Sequence, residues 1–117
     1  MERNISMGNI LYIVVPCFNE QEVLPETGRR LSAKVETLKS QGKIGAGSRI
    51  MFVNDGSNDA TWGMIQELCE QNKIFAGVNL SRNRGHQNAL LAGIQTASEH
   101  ADMIVSMDAD LQDDINA

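Results

Sequence analysis

Ile10-Leu11-Tyr12-Ile13-Val14-Val15 is a run of six β-favouring residues with no polar alternation, stopped by Pro16. A strand with one solvated face would alternate, so this run predicts a strand buried on both sides. Burial on both sides needs helices above and below, which is how parallel sheets are covered. The rest of the chain supplies them. Leu24, Leu31, Val35 and Leu38 share one helical face, and the glycine-rich loop from Gln41 to Ser48 ends that helix. Ile50-Met51-Phe52-Val53 is a second strand, closed by Asn54-Asp55-Gly56-Ser57. Asn58 or Asp59 is placed to cap a second helix with Ile65, Leu68 and Cys69 facing inward. Phe75 to Leu80 is a weaker third strand. Gly85 and His86 open a third helix with Leu90, Leu91, Ile94 and Ala97 facing inward, and Met103 to Met107 reads as a fourth, buried strand.

The order β-α-β-α-β-α-β predicts the α/β class: an open, mostly parallel sheet with helices on both faces and strand order 3-2-1-4. At 117 residues the chain is one domain's worth and buries roughly 65% of its unfolded surface. The net charge is −5, and no basic cluster exceeds Arg29-Arg30, which excludes a nucleic-acid backbone as partner. Cys17 and Cys69 form no CxxC pair, which predicts free thiols in a reducing, cytoplasmic compartment. Residues 1–9 read as an N-terminal extension. The Met1–Gly8 segment has no apolar core of a signal peptide, and no apolar stretch approaches the ~20 residues needed to span a bilayer.

Three strand ends carry polar residues, and in a parallel sheet all three lie on one edge, where open α/β sheets bind ligands. Pro16-Cys17-Phe18-Asn19-Glu20 leaves strand one; Asn19 and Glu20 could contact a nucleoside or cap the next helix. Asp55 at the end of strand two can accept from a base N–H or a ribose hydroxyl, or can simply belong to a polar turn. Asp108-Ala109-Asp110-Leu111-Gln112 follows strand four. Alternate residues there can point the same way, so oxygen ligands converge, and hard divalent cations holding a diphosphate suit such ligands. Arg82 and Arg84 precede a helix N-terminus, where they could steer a diphosphate or remain solvated. His86 and His100 fit structural roles at the ends of the third helix, and Trp62 fits packing.

The stretches VVPCFNEQE, FVNDGSNDAT, LSRNRGHQNALLAG and MDADLQDD, in this order and spacing, resemble glycosyltransferase family 2. Within it they look most like the polyprenyl-phosphate hexosyltransferases that act on dolichol or bactoprenol phosphate. The resemblance implies the N-terminal, nucleotide-sugar-binding half of a GT-A fold over residues 10–117, ending just past the Asp-x-Asp motif. It also implies inverting transfer of a hexose from a UDP- or GDP-linked donor, with UDP-glucose or a related hexose favoured. The acceptor it implies is a polyprenyl phosphate or a glycan, and the full-length enzyme would sit at the cytoplasmic face of a membrane. By resemblance, Pro16, Phe18, Asn19 and Glu20 begin the nucleotide site, Val53 and Asp55 hold the base, and Asp108, Ala109 and Asp110 meet the diphosphate. Mg²⁺ or Mn²⁺ would be held by Asp110, Gln112 and Asp108.

Departures from that pattern are specific. Asp113-Asp114 replaces a proline pair, Arg84 stands where an aromatic is usual, and the family's usual base would lie beyond Ala117. The chain alone is therefore expected to be inactive in transfer, and the competing reading is a non-catalytic nucleotide-binding or assembly module. A phosphoacceptor regulator also gathers aspartates at strand ends, but leaves the Pro16–Glu20 and Leu80–Asn88 segments without a role. A fourth strand lacking later neighbours would expose an apolar edge, so self-association through that edge is expected.

Overall fold

A computed structural model of the chain describes residues 9–110. Four strands, β1 (Leu11–Cys17), β2 (Arg49–Asp55), β3 (Phe75–Leu80) and β4 (Met103–Ser106), alternate with three helices, α1 (Leu24–Ser40), α2 (Thr61–Gln71) and α3 (His86–Ser98). All strand pairs are parallel, and the order is β3-β2-β1-β4 as the sequence predicts.

The central strands divide their side chains by the two-residue period of a strand. Leu11, Ile13, Val15 and Cys17 of β1, with Ile50 and Phe52 of β2, face α1 and α2. Tyr12 and Val14, with Met51 and Val53, face α3. Helix α1 presents Leu24, Leu31 and Val35 to the first face, and α2 presents Ile65, with Leu68 and Cys69 partly buried beside it. Burying a side chain such as Leu31 contributes about 1.5–3 kcal/mol. Pro25 in the first turn of α1, where its missing N–H costs nothing, favours starting the helix there.

Four expectations are corrected. Leu91 of α3 is exposed; the buried face is Ala89, Gly93 and Ala97. A Cβ on Gly93 would lie 2.6 Å from Val14 Cγ1 and 2.7 Å from Val53 Cγ2, so α3 lies too close to the sheet for larger residues at that point. Strand β4 is not buried: Met103 and Val105 are 41% and 47% exposed. It is an edge strand, and these two side chains share the face of Leu11 and Ile13, where α1 and α2 cover β1 but not β4. The exposed apolar edge expected of the chain is thus present among the described residues. Finally, neither Asn19 nor Glu20 caps α1, whose N-cap is Val23 without a side-chain bond. Likewise Ala60, not Asn58 or Asp59, occupies the N-cap of α2, although the Asp59 carboxylate accepts the Thr61 N–H at 2.9 Å.

Candidate functional site

The parallel strands end together. Cys17 pairs with Asn54, and Asn54 with Asn79, so β1, β2 and β3 release their loops on one edge. Beside them, Met107 donates its N–H to the Val14 carbonyl, carrying the chain past β4 to the Asp108–Asp110 turn. A cleft of about 390 Å³ opens between these ends. Its walls include Pro16 near the end of β1 with Phe18 and Glu20 from the loop that follows, Asp55 at the end of β2, and Asp108, Ala109 and Asp110 after β4. A second hollow of about 520 Å³ lies beyond the Phe18 ring, toward Trp62 and Arg82.

The loops are held by specific bonds. Asn19 adopts a left-handed backbone conformation (φ 54°). Its N–H donates to Ser57 Oγ at 2.9 Å, and its Oδ1 accepts the Asn58 N–H at 2.8 Å. Glu20 N–H donates to Thr61 Oγ1, Gln21 N–H to the Asp59 carboxylate, and Ala60 N–H to Gln21 Oε1. Burial pushes the Asp59 carboxyl up, but the hydrogen bonds from Thr61 and Gln21 outweigh it and hold the group below its ordinary value.

Asp55 is buried, and its Oδ1 accepts the Arg84 N–H at 2.6 Å, drawing the β3–α3 loop over the end of β2. Gly56 makes this closure possible. Its φ is +69°, and a Cβ there would sit 2.2 Å from the Asn83 nitrogen. The side chains of Arg82, Arg84 and His86 are exposed, and His86 and Asn83 add to the cleft wall. Cys17 lines the cleft too, but burial, then the charge of Glu20, pushes its thiol far up, so it stays protonated and inert.

At the fourth loop, Ala109 is buried and Asp108 and Asp110 are exposed into the cleft, the alternation the sequence predicts. The Ala109 carbonyl accepts a hydrogen bond from Thr27 Oγ1 on α1. Nothing in the sequence singles out Thr27; a threonine on the inner face of a helix carries no functional signal of its own. Of the other expected residues, Val53 packs fully buried against α3 and does not line the cleft. Asn19 is committed to the Ser57–Asn58 turn, and Gln112 lies outside the described residues.

Glu20 reports the field of the cleft. Burial, then the charge of Asp110, with smaller effects from Asp59 and Asp108, raises its carboxyl above the ordinary range against a backbone hydrogen bond at Phe18. Such a concentration of carboxylates favours a cation. Among the described residues, however, no group of three or more His, Cys, Asp or Glu side chains is arranged to hold a metal ion. Asp108 and Asp110 offer hard oxygen donors that suit Mg²⁺ or Mn²⁺ only if the ligand's own phosphate oxygens complete the shell, the usual arrangement for Mg²⁺.

The sequence profile of glycosyl transferase family 2 matches residues 12–117. The chain belongs to glycosyltransferase family 2. It is 49% identical over 107 residues to an uncharacterized glycosyltransferase, YkoT, of Bacillus subtilis (strain 168), covering 92% of this chain and 32% of that protein. It is 40% identical over 101 residues to the undecaprenyl-phosphate 4-deoxy-4-formamido-L-arabinose transferase of Enterobacter sp. (strain 638), covering 86% and 28%. Among solved structures, S. aureus TarS in complex with UDP superposes with a TM-score of 0.63 at 17% identity, over 86% of this chain and 27% of that one. The mannosyltransferase PcManGT from Pyrobaculum calidifontis, in complex with GDP-Man and Mn²⁺, gives 0.61 at 21% identity, over 88% and 28%. This family 2 chain therefore has the fold of the N-terminal part of a GT-A glycosyltransferase and spans a third or less of the length of these relatives. Among its described residues no helix is long and apolar enough to cross a membrane.

Proposed function

We propose that this family 2 chain forms the donor-binding part of an inverting glycosyltransferase that moves a hexose from a UDP- or GDP-linked donor to a polyprenyl phosphate. The observation that carries the reading is the cleft itself: Glu20, Asp55, Asp108 and Asp110 from three separate strand ends line one hollow at the edge where open α/β sheets take ligands. Pro16 and Phe18 offer an apolar wall for a base, while Asp108 and Asp110 face the position a diphosphate would take. A bound Mg²⁺ or Mn²⁺, held by Asp108 and Asp110 with Gln112 as a further candidate, would supply Lewis-acid stabilisation of the departing diphosphate. The relative from Enterobacter supports the lipid-phosphate acceptor. A phosphate acceptor is ionised near neutral pH and needs little general-base help. We also propose that the chain self-associates through the exposed edge of β4, and that the full-length enzyme works at the cytoplasmic face of a membrane.

Calorimetric titration of UDP and GDP, with and without Mn²⁺, tests the donor site. Nucleotide binding strengthened by Mn²⁺ and lost in Asp110→Ala is expected, and the nucleotide that binds names the base. Failure of both nucleotides to bind the wild-type chain would overturn the assignment of a working donor site.

A further inference from the structure

We infer that Thr27 is the positioning residue of the Asp108–Asp110 turn, acting through the Ala109 peptide on the carboxylates that face the cleft; this rests on the donor-site reading above. Ala109 is anchored twice. The residue is 3% exposed, within the core shared by α1, α2 and the sheet. Its carbonyl accepts the hydroxyl of Thr27, itself 2% exposed and 82 residues away in sequence.

The geometry of a short turn makes that anchor consequential. With the middle residue drawn inward by methyl and carbonyl together, its neighbours must point outward, and both Asp108 and Asp110 line the cleft. The turn follows a four-residue edge strand, so the β4 ladder restrains it from one side only. Helix α1 provides the other restraint. Its seventeen residues pack on the sheet through Leu24, Leu31 and Val35, so Thr27 stands on a rigid support. A buried carbonyl deprived of its donor also loses a bond that water cannot replace, which favours turning that peptide toward solvent and moving both carboxylates with it.

The test compares Thr27→Val, which keeps shape and removes the hydroxyl, with Thr27→Ser, which keeps the hydroxyl. UDP and GDP are titrated into each 117-residue protein with and without Mn²⁺, and hydrogen exchange is followed at the Asp110 amide, which shares its peptide group with the Ala109 carbonyl. Thr27→Val is expected to reduce the Mn²⁺-dependent gain in affinity by roughly three- to tenfold, the range of one net hydrogen bond. Its metal-free affinity should be unchanged, and exchange at Asp110 should be faster. Thr27→Ser should restore both properties. A general loss of folding would lower metal-free and metal-dependent binding alike, and that result overturns the inference. Equal Mn²⁺ gain and equal exchange in Thr27→Val and wild type would overturn it too. If the wild type binds neither nucleotide, the donor-site reading falls, and unchanged exchange in Thr27→Val would then dismiss the turn anchor separately.

Discussion

Glu20 stands in the cleft near Asp110, Asp59 and Asp108, and its ionisation opposes the fold. Burial and then Asp110 raise its carboxyl above the ordinary value. A carboxyl raised on folding lets the folded state hold the proton longer than the unfolded one. Stability therefore falls as pH rises between the unfolded and folded values, and the cost is fully present above the folded value. Glu20→Gln should accordingly raise the thermal midpoint at pH 7 in metal-free buffer, and should leave it unchanged near about pH 3.5, where the carboxyl is protonated in both states. Identical melting curves at pH 7 would show that the charge is relieved by solvent. At this scale the sequence was partly legible. Glu20, Asp55, Asp108 and Asp110 could be picked out because parallel strands bring their C-terminal ends to one edge, although Asp55 also holds the Arg84 amide. Asn19 could not be resolved, since a side chain that accepts from the neighbouring loop and one that accepts from a ligand leave the same residue in the sequence.

Elements were easier to read than the faces they bury. All four strands and all three helices follow from runs and periodicity, because a strand covered on both sides has little freedom of composition. The inner face of α3 was read in part: Ala97 is buried and Leu90 packs against the core, but Leu91 is exposed, and Ala89 and Gly93 fill the closest approach, which selects the smallest residues. Gly93→Ala measures that approach. Its added methyl would meet side chains of both β1 and β2 inside van der Waals distance, so a loss of about 1–3 kcal/mol in chemical denaturation is expected. A neutral substitution would mean that α3 can lift from the sheet without cost. The exposure of β4 was beyond local patterning as well: Met103-Ile104-Val105 is apolar enough for a core, and what sets it apart from β1 is its edge position and, among the described residues, the lack of a covering helix on one face.

For the whole molecule, the sheet is closed on the β4 side by nothing among the described residues. Met103, Val105 and the outer main-chain groups of β4 lie open together, and the strand carries no Lys or Pro of the kind that blunts natural edges. Concentration-dependent association is expected in sedimentation velocity, and Val105→Lys should abolish it while leaving the far-ultraviolet circular dichroism unchanged. A wild-type chain that stays monomeric at high concentration would remove the β4 edge as the contact. The same openness separates fold from activity. The cleft lies within the described residues, whereas the chain spans a third or less of the length of the relatives it matches.

Five hydrogen bonds stitch the Asn19–Gln21 segment to residues 57–61 across nearly forty positions of chain. Two loops are thereby made one rim. Their disorder is lost when the protein folds, so an arriving guest meets a wall already set and little entropy remains to be given up at the moment of contact. A rim set in advance favours a guest that already fits over one that it would have to mould itself around. Relaxing it, by cutting any one stitch, would trade selectivity for tolerance before it cost the fold.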